Sequence, residues 1–376
     1  MRKATEEIEE LESLGLLRTI PEPMPKSDST LINFSSNDYL ALSQHPALAE
    51  AAAHATSIYG TGSTASRLIC GTQAPHKKLE EFIAHQKTTE AALFFANGYT
   101  AAVGTISALC RKGDTIIMDK LCHASLIDGA RLSGATIRIF PHNNLDRLED
   151  LLKKISSKNE KNTRTLVITE GVFSMDGDQC LLSEIVTLKN RYNALLLLDE
   201  AHSLGVLGPQ GLGLAAEKEL QQGIDFQMGT LGKAVGAAGG YLACKQEWAN
   251  LLTNKARSFI YSTAPPPAQA AAAQAGWKLM IGNEGEIRRK NLNKILTTFT
   301  TTLERPPTQS AIIPHILGEN QIAIDASFEL EKAGFKVPAI RYPTVPRRTA
   351  RLRFTFHAEH TVEQVTRLTD ALRKLE

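Results

Sequence analysis

ALLLLDEAH, residues 194–202, runs a block of apolar residues straight into two acids, an alanine and a histidine. A short run that is apolar at every position suits a strand covered on both faces, whereas a half-exposed strand alternates. The same signature recurs in AALFF at 91–95, TIIMD at 115–119, ATIRIF at 135–140, TLVITE at 165–170 and GGYLAC at 239–244. Between these runs, Asn144 to Ser156 and Leu182 to Tyr192 place apolar residues at three- and four-residue spacings, the mark of helices with one buried face. Strands alternating with helices predict an α/β fold with a largely parallel sheet.

Outward from that block, Pro46 to Tyr59 and Pro75 to His85 each begin with proline at a first helical position, flanking the small-residue loop GTGSTASRLICGT at 60–72. Lys245 to about Leu303 reads as mainly helical, interrupted at Pro265-Pro266-Pro267. After Arg305-Pro306-Pro307 come a strand (SAIIPHIL), a helix from about Gln321 to Ala333, a proline-rich stretch, a strand (ARLRFTF) and a helix from about Val362 to Lys374. The expected organisation is a large domain over 46–285 and a small α+β domain over 286–376, which the N-terminal segment 1–45 joins.

Lysine plus arginine number 42 against 40 aspartates plus glutamates in 376 residues, a formal net charge of +2. That balance argues against bulk electrostatic binding to nucleic acid or an anionic membrane. Cys70, Cys110, Cys122, Cys180 and Cys244 are scattered without metal or disulfide-framework spacing, which fits a reducing compartment. The first residues, MRKATEEIEELESLGLL, carry glutamates where a secretory signal needs an apolar core, and no apolar run approaches the roughly 20 residues of a membrane span. A cytoplasmic location is expected. No metal site is expected either: His357 and His360 have only Ala358 and Glu359 between them, and read as the exposed end of a strand.

Asp199-Glu200-Ala201-His202 follows a strand, and in open parallel sheets ligands bind beyond the strands' carboxyl ends. Two functions fit: the Mg²⁺-holding acidic box of an ATPase, or an aspartate presented to the basic nitrogen of a cofactor. The ATPase needs an earlier G-x-x-x-x-G-K-[ST] phosphate loop. The one Gly-Lys pair, Gly232-Lys233, comes after the acidic box, is followed by Ala234, and has Gln227 where the first glycine belongs. Lys233 instead sits among small residues with Gly236, Gly239 and Gly240 after it, a surround that lets a planar ring approach a lysine able to form a Schiff base. Glu170 with Ser174 in EGVFSMDGD, His123 in DKLCHAS, and Gly98-Tyr99 at a strand-to-helix junction also follow strands; the last has free N–H groups suited to a phosphate. Each is weak alone, but all belong to one sheet edge and can converge on one cleft.

In order, Asn37-Asp38-Tyr39-Leu40, Gly98-Tyr99, His123-Ala124-Ser125, FSMDGD, DEAH, TLGKA and PTVPRRTARLRF resemble the pyridoxal-phosphate enzymes called α-oxoamine synthases, over nearly the whole chain. The resemblance implies a fold-type I aminotransferase architecture, a homodimer with active sites at the interface, and condensation of an amino acid with an acyl thioester. Ala256 to Ala264 (ARSFIYSTA) and Ile316 to Asn320 (ILGEN) are most similar to members that join L-alanine to pimeloyl-CoA or a pimeloyl carrier protein. Ser66 to Thr72 also resembles members using glycine and acetyl-CoA. Carried over, the resemblance makes Lys233 the cofactor-bonding lysine and proton carrier and pairs Asp199 with the pyridinium nitrogen. His123 would stack on the ring, His202 and Ser174 would bond its phenolic oxygen, and Thr230 with Gly98-Tyr99 would hold the phosphate. Glu170 would support this network, Asn37 would approach the ring, Arg353 would clamp the amino-acid carboxylate, and Thr344 and Arg18 would contact substrate. The segment between Arg18 and Phe34 is short for the family, which bears on the acyl-chain pocket.

Overall fold

The computed structural model describes residues 3–18, 20, 31–157 and 162–375, so most of the stretch between Arg18 and Phe34 lies outside the described residues. The chain divides into two compact units. The larger, Asp38–Ser174 with Asp178–Lys290, is built on a seven-stranded sheet. Its spatial order is Ala91–Phe95, Gly240–Cys244, Phe226–Thr230, Leu195–Asp199, Thr165–Glu170, Thr115–Asp119 and Thr136–Phe140. The strand Gly240–Cys244 runs antiparallel to both its neighbours, and the other ladders are parallel. All the strands read from apolar runs are present. Phe226–Thr230 gives no such run because Gln227 and Gly229 interrupt it. Gln227 is nonetheless fully buried, its amide donating to the Lys87 carbonyl at 3.1 Å and the Gln221 carbonyl at 3.2 Å.

Leu196, Leu197 and Leu198 are all inaccessible to solvent, as a run destined for the middle of a two-sided sheet requires. Leu197 joins Ile168, Met118 and Met228 in one core with Ala102 and Ile106 of the helix Gly98–Leu109 and Leu126 of the helix Ala124–Ser133. Both helices begin at the edge where Asp119, Glu170, Asp199 and Thr230 end their strands. Their starts are fixed locally: Asn97 Oδ1 accepts the Thr100 N–H at 2.8 Å, and His123 Nδ1 accepts the Ser125 N–H at 3.3 Å.

The smaller unit takes in Met175–Gly177, Asn291–Glu376 and the described residues of Met1–Asn37. It holds a three-stranded antiparallel sheet, in the order Ala339–Ile340, Ala350–Thr355, Ile312–Gly318, and a short parallel pair of Ile32–Asn33 with Phe335–Lys336. The predicted helices appear as Asn320–Lys332 and Val362–Arg373. His360 departs from expectation. It is buried, stacked on Phe34 at 4.1 Å, with Nε2 3.1 Å from the Asn33 carbonyl, and burial pushes its pKa down to about 3. No helix among the described residues is long and apolar enough to cross a membrane.

Two charged clamps hold the functional edge of the large sheet. Lys87 and Glu200, 1% and 0% exposed, pair at 2.5 Å; Lys87 also donates to the Leu212 carbonyl at 2.7 Å, and Glu200 accepts the Ala215 N–H at 3.0 Å. His142 bridges Asp119 (Nδ1, 3.0 Å) and Asp178 (Nε2, 2.6 Å), its ring edge-on to Phe173. Burial works against the charged ring, but the two carboxylate hydrogen bonds outweigh it and lift the His142 pKa from 6.5 to about 10.

Lys87→Met leaves the Glu200 carboxyl in the core without its cation and is expected to cost about 3–5 kcal/mol in urea unfolding. Adding Glu200→Gln to that variant should recover part of the loss. His142→Ala should cost about 1–2 kcal/mol at pH 6, a figure discounted for the ring's partial exposure. Because the folded pKa is raised, that contribution is full below pH 6.5 and lost as pH rises through about 10, so the two unfolding curves should converge at high pH.

Candidate active site

Lys233 lies in the loop between the antiparallel strands Phe226–Thr230 and Gly240–Cys244, closed by the Leu231 N–H to Gly239 carbonyl bond at 2.9 Å. Within the loop Gly236 has φ +74°, and a Cβ there would lie 2.5 Å from the Leu42 carbonyl carbon and 2.6 Å from the Ser43 nitrogen. Glycine is therefore needed for the loop to reach the turn at residues 38–43. The Asp38 carboxylate makes that turn by accepting the Leu42 and Ser43 N–H groups at 2.9 and 3.0 Å. Tyr39 is thereby fully buried.

A cavity of about 190 Å³ opens beside Lys233. Gly98, Tyr99, His123, Glu170, Asp199, His202, Thr230 and Lys233, all singled out from the sequence, line it together with Ser125, Ala201, Met228 and Gly229. Lys233 Nζ lies 2.7 Å from His202 Nε2, and His202 Nδ1 lies 2.5 Å from the Tyr39 hydroxyl. Asp199 Oδ1 accepts the Ala201 N–H at 2.9 Å, and Glu170 Oε1 accepts the His123 N–H at 2.5 Å. Thr230 donates to the Gly239 carbonyl at 3.0 Å and accepts the Gly232 N–H at 3.2 Å.

Glu170 and Asp199 are direct partners across neighbouring parallel strands. Burial raises both pKa values, and the Asp199 charge raises that of Glu170 further. Lys233 opposes burial at Asp199, which stands at about 6. The charge of the pair is therefore easier to hold on Asp199 than on Glu170. His123 is held below the ordinary histidine range by burial and by Lys233, so it faces the cavity as a neutral ring. Its Nδ1 accepts from Ser125, which leaves the proton on Nε2.

This donor set fits pyridoxal phosphate. An amine stands beside a buried carboxylate able to hold a protonated ring nitrogen, with a neutral imidazole at the wall. The first-turn amides of Gly98 and Tyr99 make no hydrogen bond among the described residues, leaving donors for a phosphate at a helix start. Ser174 is buried but does not line the cavity. Within the smaller unit, both terminal nitrogens of Arg353 donate to Asn37 Oδ1 at 3.2 Å and one also donates to Thr355 at 3.0 Å. Arg353 is 5% exposed. Arg18 donates to Thr344 at 3.0 Å, both side chains being exposed.

Tyr39 is the residue the sequence named within a motif without giving it a task. Its signal was the neighbouring Asp38, a turn former that drives the next side chain inward. A larger cleft, about 410 Å³, is lined by Arg111, Arg164, Lys255 and Arg257. These cations cluster where the helices Gly98–Leu109 and Gln246–Lys255 end, and Arg164 donates to the Leu109 carbonyl at 2.6 Å. That is charge placed against helix C-termini.

Residues 29–372 match the family model Aminotransferase class I and II. An 8-amino-7-oxononanoate synthase of Geobacter sulfurreducens is 42% identical, covering 100% of this chain and 98% of the relative. One from a Janthinobacterium species is 41% identical over 92% of this chain and 89% of its own. Among solved structures, a serine palmitoyltransferase from S. paucimobilis with a bound PLP–myriocin aldimine superposes with TM-score 0.90 at 28% identity, covering 99% and 96% of the two chains. The 8-amino-7-oxononanoate synthase of Francisella tularensis gives 0.78 at 29% identity, covering 92% and 97%. The chain therefore belongs to the aminotransferase class I and II family, as an enzyme of fold-type I architecture in the α-oxoamine synthase branch that its motifs resemble.

Proposed function

We propose that this enzyme uses pyridoxal phosphate to condense L-alanine with a pimeloyl thioester, of CoA or a carrier protein, giving 8-amino-7-oxononanoate, CO₂ and the free thiol, a step of biotin biosynthesis. The observation that carries the choice of reaction is the 42% identity to an oxononanoate synthase along the full chain. Serine palmitoyltransferases share the shape, but at 28% identity in the structure above. The working unit is a homodimer with active sites at the interface.

When bound, the cofactor supplies an electron sink for the pair left at the amino acid's α-carbon. Asp199, charged at neutral pH, keeps the ring nitrogen protonated. Lys233 would hold the cofactor through its amine and, with that amine free, would remove and return the α-proton. His123 packs against the ring, and His202 holds the phenolic oxygen. Glu170 braces His123 through its backbone N–H. Gly98, Tyr99 and Thr230 take the phosphate. Arg353, oriented by Asn37, receives the substrate carboxylate in a two-pronged hydrogen bond. Arg18 and Thr344 contact substrate.

Lys233→Ala is expected to remove the visible absorbance of the bound cofactor and to lower turnover by on the order of 10³-fold or more. Normal turnover would sink the assignment. Arg353→Ala should weaken L-alanine binding by about 10- to 100-fold, the scale of one charged hydrogen-bonded contact. An unchanged alanine affinity would remove Arg353 from the site. In an absorbance titration with L-alanine, glycine and L-serine, followed by pimeloyl-CoA or acetyl-CoA, thiol release is expected with alanine and pimeloyl-CoA. Release with glycine and acetyl-CoA instead would keep the lysine chemistry and overturn the substrates.

A further inference from the structure

From the Lys233, His202 and Tyr39 geometry we infer that Tyr39 is a positioning residue, which holds the His202 imidazole with its proton on Nδ1 and its Nε2 open as an acceptor toward Lys233. A lysine ammonium has three N–H donors and no acceptor, so at 2.7 Å from Nζ the His202 Nε2 must accept. A neutral imidazole that accepts at one nitrogen donates at the other. Nδ1 faces the Tyr39 hydroxyl at 2.5 Å, and the phenol oxygen takes that N–H. His202 is 7% exposed and Tyr39 0%, so water is poorly placed to replace the phenol. A phenylalanine at 39 removes this acceptor from Nδ1, so the Nδ1–H form loses its advantage and the Nε2–H form gains population against the pull of the Lys233 ammonium.

Local structure makes the arrangement specific. Asp38 turns the chain so that Tyr39 points inward, and Gly236 lets the Lys233 loop touch the same turn. The phenol and the amine thus approach the imidazole from two segments locked to each other. The consequence for the cofactor rests on the pyridoxal phosphate reading: the same imidazole edge that meets Lys233 is the one offered to the cofactor's phenolic oxygen, and its donor or acceptor state is set from behind by Tyr39.

The test is ¹⁵N NMR of cofactor-free protein labelled at its histidine ring nitrogens, with the His202 signals identified by their loss in His202→Gln. Wild type is expected to show a protonated Nδ1 and an unprotonated Nε2, and Tyr39→Phe to move His202 toward the opposite tautomer. Reconstituted with pyridoxal phosphate, Tyr39→Phe should bind it about 10-fold more weakly, equivalent to about 1.4 kcal/mol, within the range of a single hydrogen bond. A wild-type His202 protonated on Nε2, or a pattern unchanged in Tyr39→Phe, would overturn the inference. If wild type took up no pyridoxal phosphate, the proposed function would fail while the tautomer measurement still decided the role of Tyr39 in the folded chain.

Discussion

Glu170 and Asp199 end adjacent parallel strands in direct register, and both are buried. Two carboxylates so placed cannot both ionise cheaply, and one alone needs positive potential nearby. The fold supplies it from two directions. The helices Gly98–Leu109 and Ala124–Ser133 start at this edge, so their positive ends face it, and the Lys233 loop brings an ammonium. A parallel sheet suits such a site because every strand-to-helix crossover delivers a helix N-terminus to the edge where the strands stop.

That constraint explains what was legible in the sequence. Strands covered on both faces must be apolar throughout, so LLLL, TIIM and TLVI identified themselves, and the acids ending the first and last, Asp199 and Glu170, marked the site. Phe226–Thr230 escaped because Gln227 is buried with its amide N–H groups donating to backbone carbonyls, something no run of letters reports. The His142 clamp escaped for a related reason: it joins a strand end, a loop and the turn at Asp178, which are distant in sequence and meet only after the sheet has ordered them. His360 misled because a histidine near a chain turn usually meets water, whereas here Phe34 covers its ring.

Arg353 shows the limit of pattern reading in the other direction. The strand Ala350–Thr355 is buried at every residue, yet two of the six are arginines. Hydropathy alone would push such a strand toward solvent. Each guanidinium is reconciled by specific oxygens: Arg351 pairs with Asp176 at 2.7 Å and donates to the Met175 carbonyl at 3.1 Å, while Arg353 meets Asn37 and Thr355. Motif resemblance could single out Arg353, whereas its orientation by Asn37 became visible only with coordinates.

The tetrapeptide Asp199-Glu200-Ala201-His202 makes the general point. As letters it also describes an ATPase box, where acids hold a metal. Here neighbouring side chains serve separate ends. Asp199 keeps the cavity's charge, steadied by the Ala201 N–H. Glu200 turns into the core to Lys87, and that buried pair withdraws it from ligand chemistry. Ala201 gives the cavity a small wall, and His202 spans from Tyr39 to Lys233. What decides between the two chemistries is the partner each side chain finds, and those partners, Lys87, Tyr39 and Lys233, come from three other segments of the chain.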